Sequence, residues 1–214
     1  MKVLVIGSTG GSGRAAIEAL VAAGHEVTAF SRRGGEPRER LRHVTGDAMS
    51  ASDVSRAVRG HDAVVVTLGI SENPLRVRLF GPARTAIDIR SRGTRNVIAA
   101  MRAYGVRRLV VQTSYGVGDS RARLRFIDRL FFALLLKPQI ADTEIQQRDV
   151  MESGLDWVVV QPVHLTDNDT DAAVVSLTGE PVGAMSVSRK GVGRVLASAV
   201  DEPAVRHATL ALFG

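Results

Sequence analysis

A glycine-rich segment near the amino terminus has the composition and spacing of a phosphate-binding turn. It contains glycines at GxxGxxG spacing between an apolar segment and a predicted helix. Glycine permits a sharp turn at Gly7, close approach of the main chain to a pyrophosphate at Gly10, and close helix packing at Gly13. A helix starting here would direct free N–H groups at the phosphates. A glycine-rich turn without a ligand is the less favoured alternative. The predicted dinucleotide-binding residues in this turn are Gly7, Thr9, Gly10, Gly11, Ser12 and Gly13.

The end of the second predicted strand favours a phosphorylated dinucleotide. NAD-selective sites usually carry an acidic residue at this point, which binds the ribose hydroxyls, whereas this chain has Ser31, Arg32 and Arg33. Arg32 can hold a 2′-phosphate by paired, charge-assisted hydrogen bonds. Ser31 and Arg32 therefore predict a preference for NADP(H), with Arg33 expected in solvent, while nearby Glu36 leaves NAD(H) open.

Apolar segments alternate with helical patterns along most of the chain. Strands are predicted at residues 3–6, 26–30, 42–45, 63–66, 108–112, 157–161, 172–176 and 209–212. Helices are predicted at 12–23, 47–58, 86–104, 121–136, 142–152 and 189–200, the last capped by Ser188. This alternation predicts an α/β fold, a Rossmann-like doubly wound parallel sheet. Residues 1–214 are predicted to form a single domain with a small C-terminal substrate-side region, the substrate side comprising about 115–145 and 162–190.

Composition narrows the function classes. The 214 residues are 45% hydrophobic and 23% charged, as in a soluble globular protein. The absence of cysteine excludes disulfides and thiolate chemistry, and no His, Asp or Glu spacing suggests a metal site. The net charge of +6 favours anionic partners, but the basic residues are scattered and aromatic content is 4%, so we expect no nucleic-acid partner. Without a leader or a long apolar run, we expect a cytoplasmic location and no stable membrane insertion.

Four segments, taken in order, resemble the atypical short-chain dehydrogenases of the NmrA-like type, and among them the biliverdin-IXβ reductase and flavin reductase branch. They are VIGSTGGSGR, GDAMSASDVSRAVRGHDAVVVTLG, RGTRNVIAAMRAYGVRRLVVQTS and VMESGLDWVVVQPVHL. Together they cover most of residues 2–165. The resemblance implies an NAD(P)-binding Rossmann fold.

The resemblance also implies roles at the carboxyl ends of the strands. It assigns Asp47-Ala48 to the segment flanking the adenine and Leu68-Gly69 to the main chain beside the ribose and nicotinamide. Thr113-Ser114 matches the active-site serine position of the family, and Pro162-Val163-His164 resembles the segment next to the nicotinamide. His164 is the best candidate for a protein acid because its ordinary pKa is near neutrality. A packing role for His164 at the mouth of the crevice is the equal alternative.

The sequence departs from the tyrosine-dependent members of the superfamily. Those enzymes use a Tyr-x-x-x-Lys pair, whereas Tyr104 and Tyr115 are followed four residues later by Arg108 and Asp119. We expect Tyr104 to pack in the fold and keep Tyr115, beside Ser114, as a catalytic candidate. The usual proton relay is not expected, and hydride transfer to an acceptor that takes its proton from water remains open.

Residues 121–136 form an apolar segment, rich in leucine and phenylalanine, that begins with three arginines. A helix here has three interpretations. It is a lid over a planar apolar substrate, or a core or dimer-interface helix, or, least favoured, a membrane-surface helix. Monomer and homodimer both remain open.

Three functions fit these observations. The leading hypothesis is an NADPH-dependent reductase that transfers hydride to a planar conjugated acceptor, such as a flavin, quinone, tetrapyrrole or aromatic polyketide. The second is a non-catalytic NADP redox sensor, as in NmrA-like relatives, which the missing Tyr-x-x-x-Lys pair favours. The third is a tailoring oxidoreductase or monooxygenase of secondary metabolism.

Overall fold

The structure is a computed structural model that describes residues 1–69, 85–118, 120, 137–177 and 180–214. Its strands are β1 (Lys2–Ile6), β2 (Glu26–Ser31), β3 (Leu41–Thr45), β4 (Ala63–Val66), β5 (Arg108–Gln112), β6 (Asp156–Pro162), β7 (His164–Thr166), β8 (Val174–Ser176), β9 (Ser186–Ser188) and β10 (Ala208–Phe213). The main sheet has the order β3-β2-β1-β4-β5-β6-β10-β8, and β7 pairs separately with β9. Within the main sheet, only β8 runs antiparallel to its neighbour. The predicted doubly wound parallel sheet is confirmed.

Helices cover both faces of the sheet. They are α1 (Gly11–Ala22), α2 (Ala51–Val58), α3 (Ile89–Tyr104), α4 (Lys137–Met151) and α5 (Arg189–Asp201). Helices α1 and α5 pack together on one face, while α3 packs between α2 and α4 on the other.

The two apolar cores explain why β1 has no polar alternation. Val3 and Val5 join the core beneath α1 and α5, whereas Leu4 and Ile6 join the core beneath α2 and α3. All four side chains are fully buried. A parallel strand covered on both faces needs a continuous apolar run, and the sequence supplies one.

Local signals set most of the helix ends. The hydroxyl of Ser188 accepts from the Gly191 N–H at 2.9 Å, so the predicted cap of α5 is confirmed. Helix α2 begins at Ala51 rather than 47 because Ser50 caps it, accepting from the Asp53 N–H at 3.3 Å. Gly105 ends α3 with a φ of +70°.

The remaining differences from the predicted elements are local. Helix α3 begins at residue 89 rather than 86, and α4 begins at 137 rather than 142. The pair β7–β9 was not predicted because three-residue strands are too short to show alternation. The predicted helix at 121–136, and the predicted loop at 69–83 beyond its first residue, lie outside the described residues. No helix in the described part of the chain is long and apolar enough to cross a membrane.

Candidate functional site

A crevice of about 530 Å³ opens at the carboxyl ends of β1, β4 and β5. The strand order reverses between β1 and β4, which is where open α/β sheets bind their ligands. The crevice volume lies within the ordinary range of ligand pockets. The predicted residues that line it are Gly7, Thr9, Gly10, Gly11, Ser12, Ser31, Arg32, Asp47, Ala48, Leu68, Gly69, Thr113 and Ser114.

The glycines of the first turn have separable roles. Gly7 has a φ of +88°, and a Cβ there would lie 2.7 Å from the Thr67 carbonyl oxygen. A Cβ on Gly13 would overlap the Gly7 carbonyl oxygen, so Gly13 is required for packing and does not line the crevice. A Cβ on Gly10 would meet only the Gly7 carbonyl oxygen, at 3.4 Å. Gly10 therefore lines the crevice at a position where the fold itself would accept a larger residue.

The start of α1 presents unsatisfied N–H groups to the crevice. The first helical hydrogen bond runs from the Arg14 N–H to the Gly10 carbonyl at 2.9 Å, so the N–H groups of Gly11, Ser12 and Gly13 precede it. No side chain caps this end, and its first turn carries no acidic residue. The Arg14 Nε donates to the Thr9 carbonyl at 3.0 Å and adds positive charge. These groups fit a dinucleotide pyrophosphate.

The sequence interpretation predicted neither of the two arginines at this turn, Arg14 and Arg189. A Cβ on Gly11 would lie 2.6 Å from the Arg189 Nε, so the arginine side chain packs directly on the glycine main chain. The Arg189 Nη1 also lies 2.5 Å from the Asp167 Oδ1, in an ion pair whose carboxylate is largely exposed. Ser188 placed Arg189 at the start of a helix, but only the packing of α5 against α1 brings it to the crevice.

The part of the crevice beside the ends of β2 and β3 carries an oriented carboxylate and an exposed cation. The Asp47 Oδ1 accepts from the Met49 N–H at 2.9 Å, which orients the carboxylate within its turn. The Ser31 hydroxyl donates to the Arg33 carbonyl at 2.5 Å and shapes the end of β2. The exposed Arg32 side chain makes no hydrogen bond or ion pair with the described residues.

The opposite strand ends carry polar groups fixed by α4. The Thr113 hydroxyl donates to the Gln147 Oε1 at 3.3 Å, and the same oxygen accepts from the Gln161 Nε2 at 2.8 Å. Ser114, half-buried, follows in the crevice wall. The buried Oε1 of Gln112, also in this wall, has no partner among the described residues.

Four further predicted site residues do not line the crevice. Pro162 and Val163 are buried, and the Val163 N–H donates to Leu212 of β10 at 3.1 Å. The Tyr115 ring, 3% exposed, packs edge-on against Phe213 at 5.2 Å in the core.

His164 is the fourth of these residues, and it is exposed. Side chains alternate along a strand, and in β7 and the residue after it Leu165 and Asp167 line the crevice. His164 therefore belongs to the other side of β7. The structure does not bring it to the place where the sequence interpretation expected an acid.

One half-buried cation in the crevice wall was not predicted. Arg90, at the start of α3, lines the crevice, and burial lowers the pKa of its guanidinium. Its Nη1 is buried without a hydrogen-bond partner among the described residues. No spacing in the sequence marks this position as part of the site.

Comparison with known proteins identifies the family. The family model described as NAD(P)H-binding matches residues 7–203. Over 117 residues the chain is 38% identical to a 3-diazoavenalumate denitrifying reductase from a Streptomyces species, a match covering 53% of this chain and 38% of that protein. It is 34% identical over 119 residues to a 2-alkyl-3-oxoalkanoate reductase from Stenotrophomonas maltophilia strain K279a, covering 55% and 34%. The matches thus span little more than a third of these relatives.

Solved structures share the whole fold. ChuY, an anaerobillin reductase from Escherichia coli O157:H7, has a TM-score of 0.77 at 23% identity, covering 100% of this chain and 97% of that one. A wide-type short-chain dehydrogenase/reductase from Veillonella parvula DSM 2008, in complex with NADP, has a TM-score of 0.79 at 14% identity, covering 100% and 94%. At these identities the likeness establishes the fold alone.

Proposed function

The chain belongs to the NAD(P)H-binding family, and on that premise we propose that it is an NADPH-dependent reductase of planar conjugated acceptors. Its named relatives are reductases, and the name of the structural neighbour ChuY gives anaerobillin as its substrate. Those names support reduction as the reaction class.

The residues of the crevice support NADPH as the cofactor. The N–H groups at the start of α1 and the Arg14 guanidinium form a positive cradle for the pyrophosphate, and Arg189, which is ion-paired with Asp167, adds further N–H donors beside it. Arg32 at the end of β2 supplies a cation for the 2′-phosphate, where NAD-selective sites use a carboxylate. When bound, NADPH supplies a hydride from its nicotinamide ring.

One observation carries the choice of acceptor. The crevice-lining residues that the structure describes include no histidine, tyrosine, lysine or glutamate, and the two aspartates among them, Asp47 and Asp167, bond to the Met49 N–H and to Arg189. The acceptor end of the wall instead carries the neutral polar groups of Gln112, Thr113 and Ser114 and the cation of Arg90. Flavins, quinones and extended conjugated systems stabilise the added electrons by delocalisation and take their proton from water, so they suit a wall whose acceptor end carries no histidine or tyrosine among the described residues.

The chain's own contribution is then orientation and exclusion of water. The Thr113 hydroxyl donates to the Gln147 Oε1, which Gln161 holds in place, so the end of β5 presents Ser114 at a fixed position. A hydroxyl there can donate a hydrogen bond to a carbonyl oxygen of the acceptor. Such positioning lowers the entropic part of the barrier without moving a proton at the enzyme.

The proposal is tested by mixing the protein with NADPH and FMN or menadione and following the absorbance band of reduced nicotinamide. We expect turnover whose kcat varies little between about pH 6 and about pH 8, because no histidine is among the crevice-lining residues that the structure describes. Ser114→Ala is expected to lower kcat/KM about tenfold, the value of one hydrogen bond. His164→Ala is expected to retain near-wild-type activity, since that side chain lies outside the crevice.

Three results would count against this account. A bell-shaped pH profile, or loss of activity in His164→Ala, would require a protein acid. NADPH binding without turnover of any conjugated acceptor would favour the sensor interpretation.

A further inference from the structure

The guanidinium of Arg90 is a half-buried cation that forms no ion pair with the residues that the structure describes. It lines the crevice beside Gly69, where a Cβ would lie 3.5 Å from its Nη2. Its Nη1 is buried and has no hydrogen-bond partner in the described part of the chain. Partial burial of a charge without an ion pair opposes folding.

The neighbouring carboxylate does not fill this role. The Asp142 Oδ2 accepts from the Arg90 main-chain N–H at 3.0 Å, and its Oδ1 accepts from the Ser91 N–H at 3.2 Å. Asp142 of α4 thus caps the start of α3, with each oxygen directed to main chain. The guanidinium remains charged, as arginine does in proteins, and the nearby Asp142 carboxylate favours that charge, while the Arg90 Nη1 has no hydrogen-bond partner among the described residues.

The cofactor phosphates already have cationic partners elsewhere. Arg14 and Arg189 lie at the glycine turn with the N–H groups of α1, and Arg32 lies at the end of β2. Arg90 instead lines the crevice next to apolar side chains of Leu68 and Ile89. This wall suits a molecule with an apolar face and one anionic group.

We propose that Arg90 binds a carboxylate of the acceptor, so that the substrate is a planar conjugated acid rather than a neutral molecule. The inference rests on the proposed function, because that function makes the ligand the hydride acceptor. Binding of a carboxylate at Arg90 can be measured without turnover. Arginine matches a carboxylate through two parallel hydrogen bonds, and this pairing is strong in a partly water-excluded crevice. The unpartnered Gln112 Oε1 in the same wall can accept from a donor group on the same ligand.

The test is calorimetry on NADP⁺-saturated protein with two probes of equal shape, 2-naphthoate and 2-naphthamide. We expect wild-type protein to bind 2-naphthoate at least about tenfold more tightly, as a charge-assisted pair in a crevice requires. In Arg90→Gln this preference is expected to vanish, while the Kd of NADP⁺ stays within about twofold. Arg92→Gln is the matched control, because Arg92 lies exposed on the same helix and outside the crevice.

A stability measurement separates binding from a structural role. Without ligand, Arg90→Gln is expected to unfold at the same temperature as wild type or higher, because a half-buried charge without an ion pair is removed. Unfolding of both Arg90→Gln and Arg90→Met at lower temperature would make Arg90 structural and overturn the proposal. The proposal would also be overturned if wild-type protein bound neither probe or bound both equally. It would likewise be overturned if Arg90→Gln kept the preference for 2-naphthoate, or if Arg90→Gln lost only the binding of NADP⁺. If the protein reduced no acceptor but still preferred 2-naphthoate, the proposed function would be wrong and the carboxylate site would stand.

Discussion

Replacing Gly10 by alanine separates cofactor binding from folding. Gly10 caps α1 with φ −69° and ψ 160°, a conformation open to any residue. The added Cβ meets only the Gly7 carbonyl oxygen, at 3.4 Å. The free energy of unfolding is therefore expected to change by less than about 1 kcal/mol, the usual effect of substitution at this position. The methyl group would nevertheless enter the crevice where the pyrophosphate is expected.

The expected loss of affinity follows from the hydrogen bonds at stake. A pyrophosphate pushed away from the turn loses one or two charge-assisted bonds from the N–H groups of α1, each contributing about 1.5 to 3 kcal/mol. The Kd for NADPH should rise by at least about tenfold and by up to about a thousandfold. Calorimetric titration measures the Kd, and thermal unfolding of the same samples measures stability.

Gly13→Ala is the matched control. Its Cβ would overlap the Gly7 carbonyl oxygen and lie 2.9 Å from the Thr67 Oγ1, so overpacking should cost about 3 kcal/mol of stability. Gly10→Ala that binds NADPH as tightly as wild type would refute the assignment of the turn. Marked unfolding of Gly10→Ala would show that the glycine is needed for packing instead.

Three other perturbations give sharp expectations. Arg32→Glu should raise the Kd for NADPH about a hundredfold, because a carboxylate repels the 2′-phosphate. In parallel titrations, the preference for NADPH over NADH should therefore decrease. An unchanged ratio of the two Kd values would contradict the role of Arg32. The Arg108 guanidinium donates to three main-chain carbonyls around the end of α5, those of Ala199, Glu202 and Val205. Arg108→Met should therefore lower the free energy of unfolding, measured in urea, by about 3 kcal/mol. A decrease below about 1 kcal/mol would show that these hydrogen bonds are dispensable. Burial lowers the pKa of His61 below 6.5, so the unfolded chain takes up its proton first. Stability should therefore fall as the pH drops below about 6.5, and less so in His61→Gln; parallel profiles would contradict this.

The parts of the fold and site that follow from the sequence depend on local signals. The apolar run of β1, the spacing of Gly7, Gly10 and Gly13, and the Ser188 cap act within a few residues of themselves. Right-handed connections then fix the reversal of strand order next to β1, and with it the position of the crevice. These features were predictable because each depends on a short stretch of chain.

The missed residues depend on contacts between distant parts of the chain. Arg189 reaches the glycine turn only because α5 packs against α1, and the Arg90 main chain is tied to Asp142, 52 residues away. His164 was expected at the crevice from its place after β6, but its side chain follows the alternation of β7, whose pairing with β9 the sequence did not reveal. Spacing along the chain carries no information about such packing.

The central claim is that a dinucleotide pyrophosphate rests on the N–H groups at the start of α1. A crystal structure of the protein with NADP⁺ tests it most directly. We expect pyrophosphate oxygens within about 3 Å of the main-chain nitrogens of Gly11, Ser12 or Gly13. A well-ordered NADP⁺ whose phosphates lie away from that turn would contradict the account.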